Sequence, residues 1–412
     1  MPTMKTTKTI TVTSRCTMSA EGAAETAAMD AESERVVQAA GAERLRDARR
    51  WVIKIGSALL TADGAGLDLS AMAGWARALE PCLTRGDEII LVSSGAVAEG
   101  ARRLGYAQRP TTLEAIQAAA AVGQVGLIDA WAKVLGALDR TVGLVLLTHD
   151  DLAHRTRYLN ARGTLRTLLA QGAIPVINEN DTVATEELRF GDNDTLAALV
   201  ANLMAADVLV LMTDQNGLRL RDPRIDPSAP VLTAAAAGDL RLDAMAGSSG
   251  GALGRGGMVT KIRAARLAAR SGAVTAIVGG RTPEALSSLL SGQPAGTLLL
   301  PDQAPLAARK QWIAGQLQTR GTVVLDSGAV RAVKAQGRSL LAVGVRGLRG
   351  QFSRGEVVAC EDETGRVVAR GLVNFSAEEM ALILGAGTDE IAARLGYPGA
   401  QEVIHRDDLV VL

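Results

Sequence analysis

Short apolar runs alternate with longer Ala-rich stretches from Trp51 onward. The runs, rich in Leu and β-branched residues, are Trp51–Ile55, Glu88–Ser93, Val142–Leu147, Ile174–Asn178, Val208–Thr213 and Val274–Val278. Most are apolar without alternation, which is typical of strands covered on both faces. The stretches between them are long enough for helical crossovers, so the pattern predicts an α/β fold with a mostly parallel sheet sandwiched by helices. Ligands of such sheets bind at the carboxyl ends of the strands.

The pattern changes around residues 296–320, where Pro and Gly become frequent. Further along, the strand-like runs are Thr322–Leu325, Ser339–Ala342, Gly355–Ala359, Val367–Leu372 and Asp408–Leu412. Their spacing predicts a small C-terminal β-barrel. Residues 1–48 show no apolar periodicity before Val36, which predicts a disordered N-terminal extension. The predicted segments are therefore an extension over 1–48, an α/β domain over 49–300, a linker over 301–319, and a small β domain with a C-terminal tail over 320–412.

The composition excludes several classes of protein. Lys+Arg and Asp+Glu each number 44 among 412 residues, and aromatic residues make up only 2%. A dedicated nucleic-acid binder usually has a basic excess or stacking rings, so RNA is not an expected partner. No uninterrupted apolar run reaches the ~18 residues of a membrane helix, so no membrane is expected either. The cysteines, Cys16, Cys82 and Cys360, form no CxxC pair, which argues against disulfides or zinc and favours the reducing cytoplasm.

Lys54 interrupts the apolar run Trp51–Ile55 and is followed by Gly56. A buried lysine needs an anionic partner, so we expect its amine to face a phosphate at the strand end. Gly56 would let the backbone come close to that ligand. The alternative is a lysine of an edge strand whose amine reaches solvent.

Ser94 and Gly95 join the run Glu88–Ser93 to an Ala-rich stretch. Small residues at a helix N-terminus leave backbone N–H groups free, which makes an anion site. The alternative is that Ser94 acts only as the N-cap of this helix.

Two polar segments fall at further predicted element ends. Segment 178–181 (NEND) closes one strand, and segment 191–194 (GDND) opens a helix. Acids at a helix N-terminus are also ordinary capping residues. At one sheet edge, the two segments together suit a ligand with an ammonium group and a carboxylate, or the positioning of lysines and a metal.

Two more segments point to nucleotide binding. Thr213 and Asp214 end the run that begins at Val208, and the glycine-rich segment 254–261 (GRGGMVTK) opens an Arg/Ala helix. Its N–H groups would form a nest for phosphates, with Lys261 supplying charge. The alternative is a flexible linker.

Other catalytic patterns are absent from the sequence. It has no Walker GxxxxGK[ST], no GxGxxG, no protein-kinase catalytic loop, and no GxSxG or HExxH motif. His149 and His154 are therefore expected to have local structural roles. Two lysines, a glycine-rich nest and a magnesium-bearing nucleotide are the set that phosphoryl transfer needs.

The joint occurrence of these segments closely resembles the glutamate 5-kinase family of the amino acid kinase superfamily, whose members carry a C-terminal PUA domain. The resemblance covers residues 50–412 and rests on the segments VIKIGSALL, LVSSGAVAEG, QAAAAVGQVGLID, NARGTLRTLL, PVINENDTVAT, FGDNDTLAALVA, GRGGMVTKI and HRDD. It implies ATP-dependent phosphorylation of the L-glutamate γ-carboxylate, in the first step of proline biosynthesis. It also implies ATP and Mg²⁺ as cofactors, with Mg²⁺ held through the nucleotide and no protein metal ligand.

The resemblance also implies residue roles. Lys54 and Lys261 would stabilise the transferring phosphoryl group, with Asp194 orienting both lysines. The residues implied to hold glutamate are Ser94, Gly95, Asp181 and Asn193. The residues implied to bind ATP, besides Lys54, are Thr213, Asp214, Arg255, Gly256, Gly257, Met258, Val259, Thr260 and Lys261. A homo-oligomer (dimer or tetramer) and a partner glutamyl phosphate reductase are expected as well.

Two departures from the family pattern and two other functions stay open at this point. Arg255 stands where the family usually has Thr, and segment 148–151 (THDD) is looser than usual, so details of ATP and effector binding are open. The related enzymes phosphorylate aspartate, N-acetylglutamate or carbamate; Asp181 argues against an N-acetylated substrate, which has no ammonium group. The alternative from another class is a PUA-mediated RNA-binding regulator. Residues 320–375 contain nine basic and five acidic residues, and 376–412 contain two and seven, which disfavours RNA binding.

Overall fold

The computed structural model describes residues 20–61, 66–183, 193–222, 225–246, 257–301 and 319–412. They form a larger unit around an eight-stranded sheet and a smaller unit around a five-stranded sheet. The predicted α/β class, with a separate β-rich C-terminal domain, is confirmed.

The larger unit alternates strands and helices along the chain. Its strands are β1 (Arg50–Ile55), β2 (Glu88–Val92), β3 (Val142–Leu147), β4 (Ile174–Glu179), β5 (Val208–Thr213), β6 (Ala234–Ala236), β7 (Val274–Gly279) and β8 (Thr297–Leu300). Its helices are α1 (Ala20–Asp47), α2 (Ser57–Leu60), α3 (Leu69–Arg85), α4 (Ala96–Arg103), α5 (Leu113–Gly136), α6 (His149–Ala153), α7 (Arg155–Ala170), α8 (Asn193–Met204), α9 (Arg241–Met245), α10 (Met258–Ala269) and α11 (Glu284–Leu290). All six runs predicted as strands are strands.

The large sheet has the strand order β3-β4-β2-β1-β5-β7-β8-β6, and its pairings are parallel except for antiparallel β7 and β8. Side chains of a strand alternate between the two faces of the sheet. Trp51, Ile53 and Ile55 of β1 therefore enter one core cluster, with side chains from α3, α5 and α11. Val52 enters the other cluster, with side chains from α7, α8 and α10. By the same alternation Lys54 lies on the face of α8 and α10.

Helices α4 and α5 pack with their backbones in contact. A Cβ added to Gly100 would lie 1.6 Å from the carbonyl oxygen of Ala119, and one added to Gly123 would lie 1.8 Å from that of Ala96. Such distances are far inside van der Waals contact, so only glycine fits at either position. The contact fixes α4, which follows the Ser94-Gly95 turn, against the long helix α5.

Helix α5 is, among the described residues, the one helix long and apolar enough to cross a membrane by length and composition alone. Half of its most apolar window is buried in the molecule. Leu127, Trp131 and Leu135 lie in the core cluster, as in the core helix of a soluble protein.

For residues 20–48, helix α1 corrects the prediction of a disordered extension over 1–48, and residues 1–19 lie outside the described residues. The helix runs over Ala20–Asp47, and Leu45 and Ala48 are fully buried. The Glu34 carboxylate accepts hydrogen bonds from the backbone N–H and the hydroxyl of Thr233, and a Cβ added to Gly41 would lie 2.8 Å from Leu298 Cδ1. The inward positions of α1 that the structure describes, Val37, Gly41 and Leu45, include only two large apolar side chains, so hydropathy gives little signal. The packing surface comes from the β6 and β8 end of the sheet.

The smaller unit has a five-stranded sheet in the order β10-β9-β11-β12-β13. Its strands are β9 (Gly321–Leu325), β10 (Val345–Gly350), β11 (Val357–Glu361), β12 (Val367–Leu372) and β13 (Leu409–Val411), and its helices are α12 (Ser327–Gln336), α13 (Ala377–Ile383) and α14 (Ile391–Leu395). The strand predicted over 339–342 is wrong, since only Leu340 makes a single bridge, to Ile404. The sequence missed β10, whose Gly and Arg residues give little strand signal. Most of the predicted linker, residues 302–318, lies outside the described residues.

Candidate active site

Lys54 lies near the carboxyl end of β1, which is a central strand. In the sheet Lys54 is paired with Val92 of β2 on one side and with Leu211 of β5 on the other. The residue is only 6% exposed. The alternative of a solvent-reaching lysine on an edge strand is therefore wrong, and the amine needs a buried partner.

Asp194, the second residue of α8, provides that partner. Its Oδ1 lies 2.7 Å from Lys54 Nζ and its Oδ2 lies 3.1 Å from Lys261 Nζ. Asp194 is 0% exposed and Lys261 only 3%. Burial alone would raise the pKa of the Asp194 carboxyl, but the charges of the two lysines outweigh it, so the pKa is lowered. Two ammonium groups on one carboxylate leave one excess positive charge, which suits a polyanionic ligand.

Lys261 belongs to the first turn of α10, which begins beside Asp194. The Thr260 hydroxyl lies 2.8 Å from Asp194 Oδ2 and 2.7 Å from the carbonyl oxygen of Gly257, and its single proton is donated to one of the two at a time. Gly257 is the N-cap, and no side chain of the described residues caps this end. The first-turn N–H groups, next to the part-buried Met258 and Val259, are thus available to an anion. Arg255 and Gly256 lie outside the described residues.

Asn193, next to Asp194, ties the start of α8 to two strand ends. Its Nδ2 lies 2.7 Å from Ser94 Oγ, 3.0 Å from the Ser93 carbonyl oxygen and 3.2 Å from Asn178 Oδ1. Its Oδ1 is buried with no hydrogen-bond partner among the described residues. A free carbonyl-type oxygen in this position is an acceptor for a ligand ammonium or hydroxyl group.

The turn after β2 differs from the simple capping alternative. The N-cap of α4 is Gly95, with φ +95°, and no side chain within the described ranges caps that helix end. Ser94 is therefore not the N-cap, and its hydroxyl accepts a hydrogen bond from Asn193 instead. Ser94 is buried, so its hydroxyl and the amides behind it face the interior of the site.

Asp181 follows β4 by two residues. Its burial raises the pKa of the carboxyl to about 6, while the charge of Arg109 works in the opposite direction. A half-buried carboxylate whose charge is only partly compensated is suited to a cationic ligand group. On the same side of the site the Gln124 amide nitrogen lies 3.5 Å from the Glu179 carbonyl oxygen.

Thr213 and Asp214 end the neighbouring strand β5. The Thr213 hydroxyl donates to Asp214 Oδ1 at 3.0 Å, and the Asp214 side chain is exposed. A Cβ added to Gly56 would lie 3.4 Å from the Met212 carbonyl oxygen and 3.9 Å from Lys54 Nζ, so the ends of β1 and β5 approach closely here. Of the predicted residues, the structure joins Lys54, Lys261, Asp194, Thr260, Asn193 and Ser94 by direct contacts. Thr213, Asp214 and Asp181 lie at neighbouring strand ends.

Asn178 and Gln124 are parts of the site to which the sequence analysis gave no individual role. Asn178 Oδ1 accepts both from Asn193 Nδ2 and from the backbone N–H of Glu179. Its place at a strand end was a usable signal. Gln124 lies in the middle of the Ala-rich helix α5, within the segment QAAAAVGQVGLID of the family resemblance, and no strand or helix end marks it as a site residue. His149 Nδ1 lies 3.9 Å from Glu179 Oε1, at the start of a helix that Thr148 caps.

No cluster of three or more His, Cys, Asp or Glu side chains that could hold a metal occurs within the described ranges. The charged groups of the site instead form the Lys–Asp–Lys arrangement.

Comparison with known proteins confirms the resemblance. The model of the Amino acid kinase family matches residues 49–280, and that of the PUA domain matches residues 321–395. A glutamate 5-kinase of Pseudomonas paraeruginosa is 58% identical over 370 residues, which cover 90% of this chain and 100% of the relative. Those of Stutzerimonas stutzeri and Hahella chejuensis are also 58% identical, over 90% of this chain and 100% and 96% of their own lengths. The chain therefore belongs to the amino acid kinase family, in the glutamate 5-kinase branch that carries a C-terminal PUA domain.

Proposed function

We propose that this protein transfers the γ-phosphoryl group of ATP to the γ-carboxylate of L-glutamate, as the first step of proline biosynthesis. The observation that carries the proposal is the buried carboxylate of Asp194 between the amines of Lys54 and Lys261. The surplus positive charge lies at the carboxyl end of a central parallel strand, where such sheets bind ligands. The relatives from Pseudomonas paraeruginosa and Stutzerimonas stutzeri, whose full lengths the match covers, are both named glutamate 5-kinase.

The reaction requires little covalent chemistry from the protein. A γ-carboxylate oxygen forms a bond to the γ-phosphorus while the bond from that phosphorus to the β,γ-bridging oxygen breaks, and ADP leaves with the electron pair. The products are γ-glutamyl phosphate and ADP. The γ-carboxyl group has a reference pKa of about 4.3 and is therefore already ionised at neutral pH, so no general base is required. The protein's task is to position two anions and to neutralise the charge between them.

The residues divide into two groups in this proposal. Lys54 and Lys261 contact the transferring phosphoryl group, and Asp194 holds their amines in place. Ser94, Gly95 and Asn193 hold the glutamate near its reacting carboxylate, and Asp181 binds its ammonium group. The residues assigned to ATP are Thr213, Asp214, Arg255, Gly256, Gly257, Met258, Val259 and Thr260, with the two lysines.

The start of α10, which no side chain in the described part of the chain caps, and the two lysines fit a nucleoside triphosphate, which brings Mg²⁺ bound to its phosphates. When bound, Mg²⁺ neutralises phosphate charge.

We propose a kinase domain over 49–300, a linker over 301–319 and the PUA-like domain over 320–412. Cys82 and Cys360 are free and buried, which suits a cytoplasmic protein. The acyl phosphate product is a labile mixed anhydride, so we expect a glutamyl phosphate reductase to consume it. We expect a homo-oligomer, a dimer or tetramer.

The test is a hydroxylamine trap of the acyl phosphate. The full chain with ATP, Mg²⁺ and L-glutamate should yield γ-glutamyl hydroxamate, whereas aspartate, N-acetylglutamate and carbamate should not. Lys54→Ala and Lys261→Ala should lower kcat by about 10²–10³-fold with little change in KM. Asp181→Ala should chiefly raise the KM for glutamate. Turnover of another acid in place of glutamate would overturn the substrate, and the reverse kinetic pattern would overturn the division of residues.

A further inference from the structure

Two sequence segments, NARGTLRTLL and HRDD, have no part in the catalytic proposal, and the structure brings them together. Arg162 of α7 and Asp408, 246 positions later, form an ion pair with Arg162 Nη1 2.8 Å from Asp408 Oδ2. Arg162 is 5% exposed and Asp408 is 3% exposed. The pair therefore joins the kinase domain to the C-terminal domain in a place that solvent does not reach.

The pair is not built for maximal stability. Arg162 uses one nitrogen of its guanidinium, and its Nε and Nη2 are buried with no hydrogen-bond partner among the described residues. A buried ion pair gains little over apolar side chains of similar volume unless its remaining groups are satisfied. What such a pair does supply is a directional requirement, because a misplaced partner leaves a buried charge unpaired. This property suits a contact that defines how one domain sits on another.

Asp408 is held firmly on its own side. It ends the 3-10 helix Arg406–Asp408 and directly precedes β13. Its backbone N–H donates to the His405 carbonyl oxygen, and Leu409 is buried in the core of the C-terminal domain. The carboxylate is thus fixed to the last strand of the small sheet.

Arg162 is linked to the active site through its own helix. Tyr158 and Leu165, four residues before it and three after it, lie on the same side of α7. Both belong to or pack against the core cluster that contains Leu196 and Ala197 of α8. Helix α8 begins with the two residues Asn193 and Asp194. Because close-packed interiors transmit displacement, the position of α7 bears on the first turn of α8.

We propose that Arg162 and Asp408 form an interdomain latch that seats the C-terminal domain on α7 and thereby holds the first turn of α8 in place. This surface of α7 binds the chain's own C-terminal domain. A ligand or partner that moves that domain would loosen Asn193 and Asp194 without touching either residue. The inference is independent of which acid the kinase phosphorylates.

The test is hydrogen–deuterium exchange of the full chain without substrate, so its failure would leave the proposed function intact. Arg162→Met and Asp408→Asn should each speed exchange in residues 193–200 and 409–412 by about a hundredfold, since each removes one partner of a buried ion pair. The double variant Arg162→Met/Asp408→Leu replaces the pair by apolar side chains and should restore exchange to near the parent rate. Arg394→Gln breaks the exposed pair with Glu390 in the same domain and should change nothing in these segments.

Several results would overturn the latch. One is faster exchange at 409–412 with unchanged exchange at 193–200, because the C-terminal domain would then not reach α8. Another is a double variant that exchanges as fast as the single variants. If a single variant does not fold, a folded double variant with parent-like exchange supports the latch, and a double variant that also fails to fold refutes it.

Discussion

Replacing Asp194 by Asn tests the centre of the site in the most direct way. The substitution keeps the size of the side chain and removes its charge, while both lysine amines, within 2.7 and 3.1 Å of its two oxygens, keep theirs. Removing one partner of a buried ion pair costs about 3–5 kcal/mol, because the remaining charge is left uncompensated. Here two amines lose the same anion, so we expect a cost at the upper end of that range near pH 7. Such a loss is a large share of the stability of an ordinary domain.

The pH dependence distinguishes this reasoning from a simple loss of packing. The pKa of Asp194 is lowered in the folded protein, so its stabilisation is fully present above the unfolded pKa and is lost as the pH falls through the folded value. The parent should therefore not gain stability from this group above about pH 5. In Asp194→Asn the two buried amines lose this anion, so burial disfavours their charged forms and the unfolded chain binds more protons than the folded one. The free energy of unfolding of the variant should then rise between about pH 7 and pH 10, towards that of the parent.

Urea unfolding followed by circular dichroism at several pH values measures both effects. Asp214→Asn is the matched control, since that carboxylate is exposed, and its free energy of unfolding should stay within about 0.5 kcal/mol of the parent. Two results would refute this account. One is an Asp194→Asn variant with the same free energy of unfolding as the parent near pH 7, and the other is a variant whose free energy of unfolding changes with pH in the same way as that of the parent. The hydroxamate assay on the same sample should show a kcat reduced by about 10²-fold or more, because the lysines lose their orientation.

Three further predictions concern Asp181, the α4–α5 contact and α1. Burial raises the Asp181 pKa to about 6, so the contribution of this group to stability is fully present below the unfolded pKa and is lost as the pH rises through about 6. Asp181→Asn should therefore be more stable than the parent by about 1–3 kcal/mol near pH 8 and equal to it near pH 4. Equal free energies of urea unfolding for variant and parent at both pH values would contradict this. Gly123→Ala, which places a Cβ 1.8 Å from the Ala96 carbonyl oxygen, should cost more than about 3 kcal/mol in urea unfolding, and a cost below about 1 kcal/mol would mean that the helices can separate freely. Leu45→Ala should cost about 2–5 kcal/mol because this side chain of α1 is fully buried, and an unchanged unfolding midpoint would restore the disordered extension.

The sequence predicted what depends on local pattern and missed what depends on tertiary contacts. The strand containing Trp51 was recognisable because parallel strands buried on both faces leave continuous apolar runs. Strand β6 is three Ala residues, so its identity comes only from pairing with β8. Helix α1 has few large apolar side chains, and the surface that orders it belongs to residues about 200 positions away, such as Thr233. The same limit applies within the site. Asn178 and Gln124 both belong to segments that carry the family resemblance, but only Asn178 also stands at a strand end, whereas the place of Gln124 in the site depends on what α5 packs against.

The fold and the catalytic site place the same requirement on the sequence around Lys54. Lys54 follows Val52 by two residues, so strand alternation sends its amine to the face covered by α8 and α10. A charged group on a central strand cannot stay there alone, so those helices must bring an anion to it. Asp194 at the start of α8 meets that need, and Lys261 at the start of α10 then leaves the excess charge that a phosphate can use. A one-residue slip of β1 would turn the lysine into the cluster of Trp51 and Ile53, which offers apolar neighbours. The ion pairs with Asp194 thus specify the register of β1, and the lysines of the same pairs would bind the transferring phosphoryl group. Substitutions at Asp194 should therefore impair folding and turnover together.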